Sequence, residues 1–349
     1  MLRKLILPLV GIGLIFTGCA KQESQQTVSN APSPAGKKVQ VGLVFDIGGR
    51  GDKSFNDSAY AGLERASKEF GLEMGKDIEY IEPTEAPDRE NALRKLVDKK
   101  KDILIAVGFI FSDDVNRVAK EFPNVKFACV DYVPPEKESD YLPNVVGLKF
   151  KEEEGSFLVG AIAGLVTKTN KVGFVGGMES PLIKKFEAGY KAGVKYVNPK
   201  CEIFANYAGV TPDAFKNPTK GKELGLSMYD KSADIIYHAS GSTGLGVFEA
   251  ARDKNKLAIG VDADQYDQAT GHILTSMVKK VNESVFQEIK AVKDNQFKNG
   301  TRMFDLASKG IDYVYDEHNK TLIPDKIHTK VEEIRAKIIK GEIKVPSTP

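Results

Sequence analysis

From residue 38 to about residue 279 the chain alternates short apolar runs with helical periods, and it does so twice. The first series carries VQVGLVFD, IEYIEP, DILIAVG, KFACVD and VVGLKF, with helical periods at 55–70, 88–100 and 112–122. A long helical stretch at 152–167 leads into KVGFVGG, EIFANYAG, ADIIYHAS, KLAIGVD and ILTSMV, with helical periods at 181–197, 213–229 and 245–254. These runs are rich in β-branched residues, as expected for buried strands. Strands that alternate with helices imply parallel sheets closed by right-handed crossovers. A body of about 310 residues exceeds what one core usually holds, so the chain is expected to fold as two α/β lobes.

In open sheets of this kind, ligands collect beyond the carboxyl ends of the strands. The residues that fall there are Asp46, Gly108, Phe109 and Asp131 in the first series, and Gly176, Gly177, the run GSTGLG at 241–246 and Asp262 in the second. The first loop, FDIGGRGDKSFND at 45–57, has glycines leading into a Lys-Ser pair but is no phosphate loop. A Walker A loop needs Gly directly before Lys-Ser, and here Asp52 would set a carboxylate against the phosphates. The dinucleotide fingerprint fails as well, because its third glycine would fall at Ser54. GSTGLG has the wrong spacing and no Lys-Ser after it. An acidic turn carrying Asp46, Ser54, Phe55 and Asn56 suits a neutral ligand with hydroxyl and amide groups: carboxylates accept hydrogen bonds and Phe55 offers a flat face. Aspartates at such positions also commonly cap the next helix. That role is assigned to Asp52, and ligand contact to Asp46, Asp131 and Asp262. The Arg-Gly-Asp triplet at 50–52 is a match that chance supplies easily.

Arg3 and Lys4 precede an apolar run at 5–16, too short to span a bilayer and suited to a signal peptide. It ends in FTGC, which resembles the lipobox of bacterial lipoproteins, so Cys19 is the expected lipidation site; an ordinary secretory signal with an incidental cysteine is the alternative. Residues 20–36 are Gln, Ser, Pro and Ala without apolar periodicity and read as a tether. Removing 1–18 takes Arg3 and Lys4 from the 50 basic residues and leaves 48 of each sign, a balance that argues against nucleic acid as a partner. Cys129 and Cys201 have no spacing that asks for a disulfide, though one stays open. His238, His272, His318 and His328 lack metal-ligand spacing, and no cofactor is expected. No nucleophile with a base is legible, which argues against an enzyme.

Taken together, DIGGRGDKSFNDSAYAGLERA, VGFIFSDDVNRVAKEFPNVKFACVD, NVVGLKFKEEEGSFLVGAIAG, KVGFVGGMESPLIKKFEAGYKAG, SGSTGLGVFEAARD and GVDADQ with TSMVKKV resemble the basic membrane protein family of lipoproteins. Its PnrA-like members are purine nucleoside receptors, the solute-binding subunits of ABC importers. The resemblance implies a type I periplasmic binding protein fold, α/β, with two lobes joined by a three-segment hinge crossing near 147–152, 277–280 and 307–312. It implies a signal at 1–18, a lipidated tether at 19–37, an N-terminal lobe of 38–149 plus 279–308 and a C-terminal lobe of 150–278 plus 309–349. The implied contacts are Asp46, Ser54, Phe55 and Asn56, with Phe55 stacked on the base, and Asp131 at the polar edge of the base. Asp262 and Lys279 would fix the ribose, and Phe186 and Gly241 would close the pocket, to which Phe109 is added from its place after a strand. A monomer that hands guanosine, inosine or adenosine to an ABC permease on the extracytoplasmic face is the expectation. Another ring-bearing solute such as riboflavin, or a surface antigen or adhesin, is the alternative.

Overall fold

The computed structural model describes residues 38–85 and 87–349. In chain order the first series is β1 (Val41–Val44), α1 (Phe55–Phe70), β2 (Ile78–Ile81), α2 (Asp88–Asp98), β3 (Ile103–Val107), α3 (Ser112–Glu121), β4 (Lys126–Val130) and β5 (Val145–Phe150). The second is α4 (Glu152–Val166), β6 (Lys171–Met178), α5 (Pro181–Val197), β7 (Glu202–Gly209), α6 (Pro218–Asp230), β8 (Ile235–Ala239), α7 (Thr243–Asp253), β9 (Leu257–Asp262) and β10 (Ile273–Lys279). The chain then returns through α8 (Val281–Lys293), β11 (Gly300–Phe304), β12 (Ile311–Tyr313) and α9 (Asp325–Ile339).

Two six-stranded sheets result, ordered β11-β5-β4-β3-β1-β2 and β12-β10-β9-β8-β6-β7. The first is parallel throughout. In the second, β12 enters antiparallel to β10. The chain passes between the sheets after β5, after β10 and between β11 and β12. The central strands β1 and β3 are buried on both faces, which explains their unbroken apolar runs.

Two details differ from the sequence-based expectation. The single helix expected at 213–229 is a 3-10 turn at Pro212–Phe215 followed by α6. Pro218 bars its predecessor from helical geometry, and the Asn217 side chain instead accepts from the Lys220 N–H at 2.9 Å as the cap of α6. The helix expected from residue 245 already begins at Thr243.

Helices α4 and α5 pack backbone to backbone. A Cβ on Gly160, Gly189 or Gly193 would collide with the main chain of the facing helix, so only glycine permits this approach. The three glutamates of the first turn of α4 lie at the positive end of the helix dipole. This seam brings the start of α5 against the start of α4.

Candidate ligand-binding cleft

The carboxyl ends of strands from both sheets surround one cavity. Asp46, Phe55, Asn56, Phe109, Asp131, Phe186, Gly241, Asp262 and Lys279 all line it. Ser54 does not: it stands behind the wall, its hydroxyl donating to Asp262 Oδ2 at 2.5 Å.

Asp46 lies two residues past the end of β1. Its Oδ1 accepts from the Ile47 N–H at 2.6 Å, and its own N–H donates to Asn56 Oδ1 at 2.9 Å. Gly108, at φ +113°, has no room for a Cβ beside the Asp46 carboxylate, so the glycine after β3 is a condition for Asp46 being there. Burial raises the Asp46 carboxyl to about 7. Asp52 caps α1 as expected, accepting from the N–H groups of Ser54, Asn56 and Asp57 at 2.9, 2.8 and 3.1 Å. It also faces the cavity, which the sequence did not suggest.

Asp131 and Asp262 occupy matching places, one residue past β4 and at the last residue of β9, and both are left-handed, with φ +61° and +67°. Aspartate tolerates this conformation better than most residues, at a cost of roughly 1–3 kcal/mol for a strained site. Asp131 Oδ1 and Oδ2 lie 2.6 and 2.7 Å from Lys279 Nζ. Burial alone would depress the Lys279 ammonium, but Asp131, Glu152 and Asp262 outweigh it and hold the group above its ordinary value. The ammonium also lies 4.9, 5.0 and 5.7 Å from the ring centres of Phe150, Phe55 and Phe186, a cation-π cage. Burial pushes the Asp262 carboxyl up to about 7, against the pull of Lys279 and the Ser54 hydroxyl.

The expected Asp262–Lys279 partnership therefore takes another form. Lys279 is engaged by Asp131 and Glu152, and Asp262 by Ser54. Ser54 follows β1 of one sheet and Asp262 ends β9 of the other, so their bond joins the two lobes behind the cavity wall. A second such bond runs from Gln265 Nε2 to the Lys53 carbonyl at 2.9 Å.

The sequence reading missed Leu182, Phe215, Ser240 and Ser242 in the wall. Phe215 sits in the 3-10 turn that had read as helix. Its ring occupies the space a Cβ of Gly177 would need, and its carbonyl lies near Gly241, which has φ +54°. The glycines at 177 and 241 were thus the available signal. His238 is a core residue: its Nε2 bonds Gln265 Oε1 at 3.1 Å, its Nδ1 bonds Ser240 at 3.3 Å, and burial lowers it to about 4.

The Arg-Gly-Asp triplet is absorbed by the fold. The Arg50 guanidinium lies 3.5 Å from the Tyr60 ring centre and bonds the Tyr80 hydroxyl, while Asp52 is the buried cap. Cys129 and Cys201 are both buried free thiols. Among the described residues no group of His, Cys, Asp and Glu could hold a metal ion, and no helix is long and apolar enough to cross a membrane. Cys19 lies outside the described residues.

Two sheets joined by three crossings around a shared cleft define a two-lobed α/β protein with its cavity between the lobes. A solved solute-binding protein of an ABC transporter system from Aeropyrum pernix is 28% identical with a TM-score of 0.80, covering 88% of this chain and 93% of that one, and the fold is the type I periplasmic binding protein fold. The profile of the Bmp family, described as ABC transporter substrate-binding protein PnrA-like, matches residues 38–349. The chain belongs to that family and is an ABC transporter substrate-binding protein. Relatives include a protein of Listeria monocytogenes named CD4+ T-cell-stimulating antigen, 36% identical over 98% of this chain and 97% of its own length. Another is the ABC transporter nucleoside-binding protein BmpA of Lactococcus lactis, 32% identical over 95% of each chain.

Proposed function

We propose that this chain captures purine nucleosides (guanosine, inosine and adenosine) outside the cytoplasm, held at the membrane by a lipid on Cys19, and passes them to the permease of an ABC importer. The observation that carries this reading is the charge of the cleft wall. Four carboxylates, Asp46, Asp52, Asp131 and Asp262, line it with phenylalanine rings and one ammonium, Lys279, which Asp131 already engages. A nucleoside has an aromatic face, an edge of donors and acceptors, and a diol. Phenylalanine faces, carboxylate acceptors and one cationic donor meet all three. A phosphate would meet carboxyl groups and an ammonium already engaged by Asp131, with no free cation among the described residues of the wall to neutralise it, so this wall favours the neutral end of nucleotide chemistry. The name of the Lactococcus lactis relative supports the same class of ligand.

Phe55, Phe186 and Phe215 supply the faces for the ring, and Asp262 accepts from the ribose diol. The chain binds its solute without transforming it. Native mass spectrometry of the protein purified from its own host tests the assignment: a bound mass equal to a purine nucleoside supports it. A bound flavin moves the ligand to the alternative class of ring-bearing solute.

A further inference from the structure

Lys279 faces the cleft, but its geometry is governed from behind. Its ammonium has three N–H donors and no acceptor capacity. Asp131 takes it on one side at 2.6 and 2.7 Å, and Glu152 Oε1 stands 3.3 Å away on another. Glu152 is 1% exposed and does not line the cleft. Its other oxygen, Oε2, accepts from Lys185 Nζ at 2.5 Å. Lys185 in turn donates to the Phe150 carbonyl at 2.9 Å and lies 3.4 Å from Glu153 Oε2.

The order Asp131, Lys279, Glu152, Lys185, Glu153 alternates in sign. It starts at the end of β4 in one sheet, passes through the last residue of β10 in the other, and ends on the seam of α4 and α5. Two of the chain's crossings between sheets, after β5 and after β10, are anchored by it: Lys185 holds the last carbonyl of β5, and Glu152 and Lys279 flank the crossings themselves. The close glycine contacts of α4 with α5 put Lys185 within reach of Glu152.

We propose that Glu152 is a positioning residue for the solute site: its charge, set on a second side of the Lys279 ammonium from Asp131, fixes how that ammonium is turned and so leaves one N–H for the cleft, and Lys185 fixes Glu152 in that posture. This rests on the reading of the cleft as the solute site. Without the Glu152 charge the ammonium is oriented by Asp131 alone, and the N–H that Lys279 offers to the cleft is no longer held in one direction. Glu152→Gln should act in this way, because the amide keeps its carbonyl on Lys185, the nearer partner at 2.5 Å, and turns an uncharged N–H₂ toward Lys279.

Two measurements on the full chain test this. The first needs no solute: the lysine ammonium resonance of Lys279, assigned by its loss in Lys279→Met/Glu152→Gln, is followed by ¹⁵N NMR in the parent and in Glu152→Gln. A shifted resonance whose hydrogen exchange is at least about tenfold faster in the variant is expected from the loss of the buried Glu152 charge beside the ammonium. An unchanged shift and exchange rate overturn the proposal. The second is a double-mutant cycle on inosine affinity. Glu152→Gln alone should weaken binding by roughly tenfold to hundredfold but add nothing further in the Lys279→Met background. Equal losses in both backgrounds show a structural role and overturn it. If the parent binds no nucleoside, the proposed ligand is wrong, and the ammonium resonance still decides the role of Glu152.

Discussion

Asp262→Asn should move affinity and stability in opposite directions. The substitution keeps the shape of the side chain and, like aspartate, tolerates the left-handed backbone found at φ +67°. It removes only the charge. The carboxyl, 7% exposed, is raised by burial from 3.8 to about 7, with Lys279 and the Ser54 hydroxyl offsetting part of the cost. A carboxyl whose value is higher folded than unfolded binds more protons in the fold. Its penalty is therefore absent below about pH 4, grows through pH 4–7 and is complete above about pH 7. The displacement corresponds to on the order of 4 kcal/mol of stability withheld by the ionised group. Asp262→Asn should thus match the parent in stability near pH 4 and exceed it by about 1–4 kcal/mol at pH 8 in urea unfolding. A ribose diol loses its charged acceptor at the same time, a change that costs on the order of 2–5 kcal/mol. Nucleoside affinity should fall roughly 30-fold to several thousand-fold. A variant that is less stable than the parent at pH 8, or that binds nucleoside equally well, would refute the reasoning.

Three further outcomes are expected. Cys19→Ser should leave a folded chain that no longer sediments with membranes; continued partitioning would mean that another feature anchors it. Ser54→Ala removes a bond joining the two lobes and should weaken solute binding by about 0.5–1.5 kcal/mol, read by calorimetry, with the larger part in the dissociation rate. Gly108→Ala pushes on the Asp46 carboxylate and strains a positive φ, so it should destabilise by roughly 1–3 kcal/mol and reduce affinity. Unchanged affinity would remove Asp46 from the site.

Much of this architecture was legible because buried parallel strands announce themselves as unbroken apolar runs, and the doubled series showed two sheets. Helices α1 and α5 could be read to the residue, since Gly71 in the left-handed conformation ends one and Pro181 after Ser180 opens the other. The edge strands β11 and β12 were not legible: β12 has only three residues, and β11 alternates in exposure and carries polar residues in place of an apolar run. Their pairing depends on partners far away in the chain. The cavity residues at strand ends could be read because topology alone places them. Phe215 and Glu152 could not. Phe215 enters through an irregular turn, and Glu152 is one of three consecutive glutamates that look alike in sequence. Only the seam of α4 and α5 singles it out, by bringing Lys185 to its second oxygen.

Aromatic faces and a carboxyl-lined wall should make the cleft select a neutral purine nucleoside. Calorimetric titration of the full chain, stripped of solute, with inosine, guanosine and adenosine, with their 5′-monophosphates and with riboflavin tests it most directly. The nucleosides should bind, and each monophosphate should bind at least about a hundredfold more weakly, a loss of roughly 3 kcal/mol. Monophosphates bound as tightly as nucleosides, or riboflavin bound while all three nucleosides are refused, would contradict this expectation.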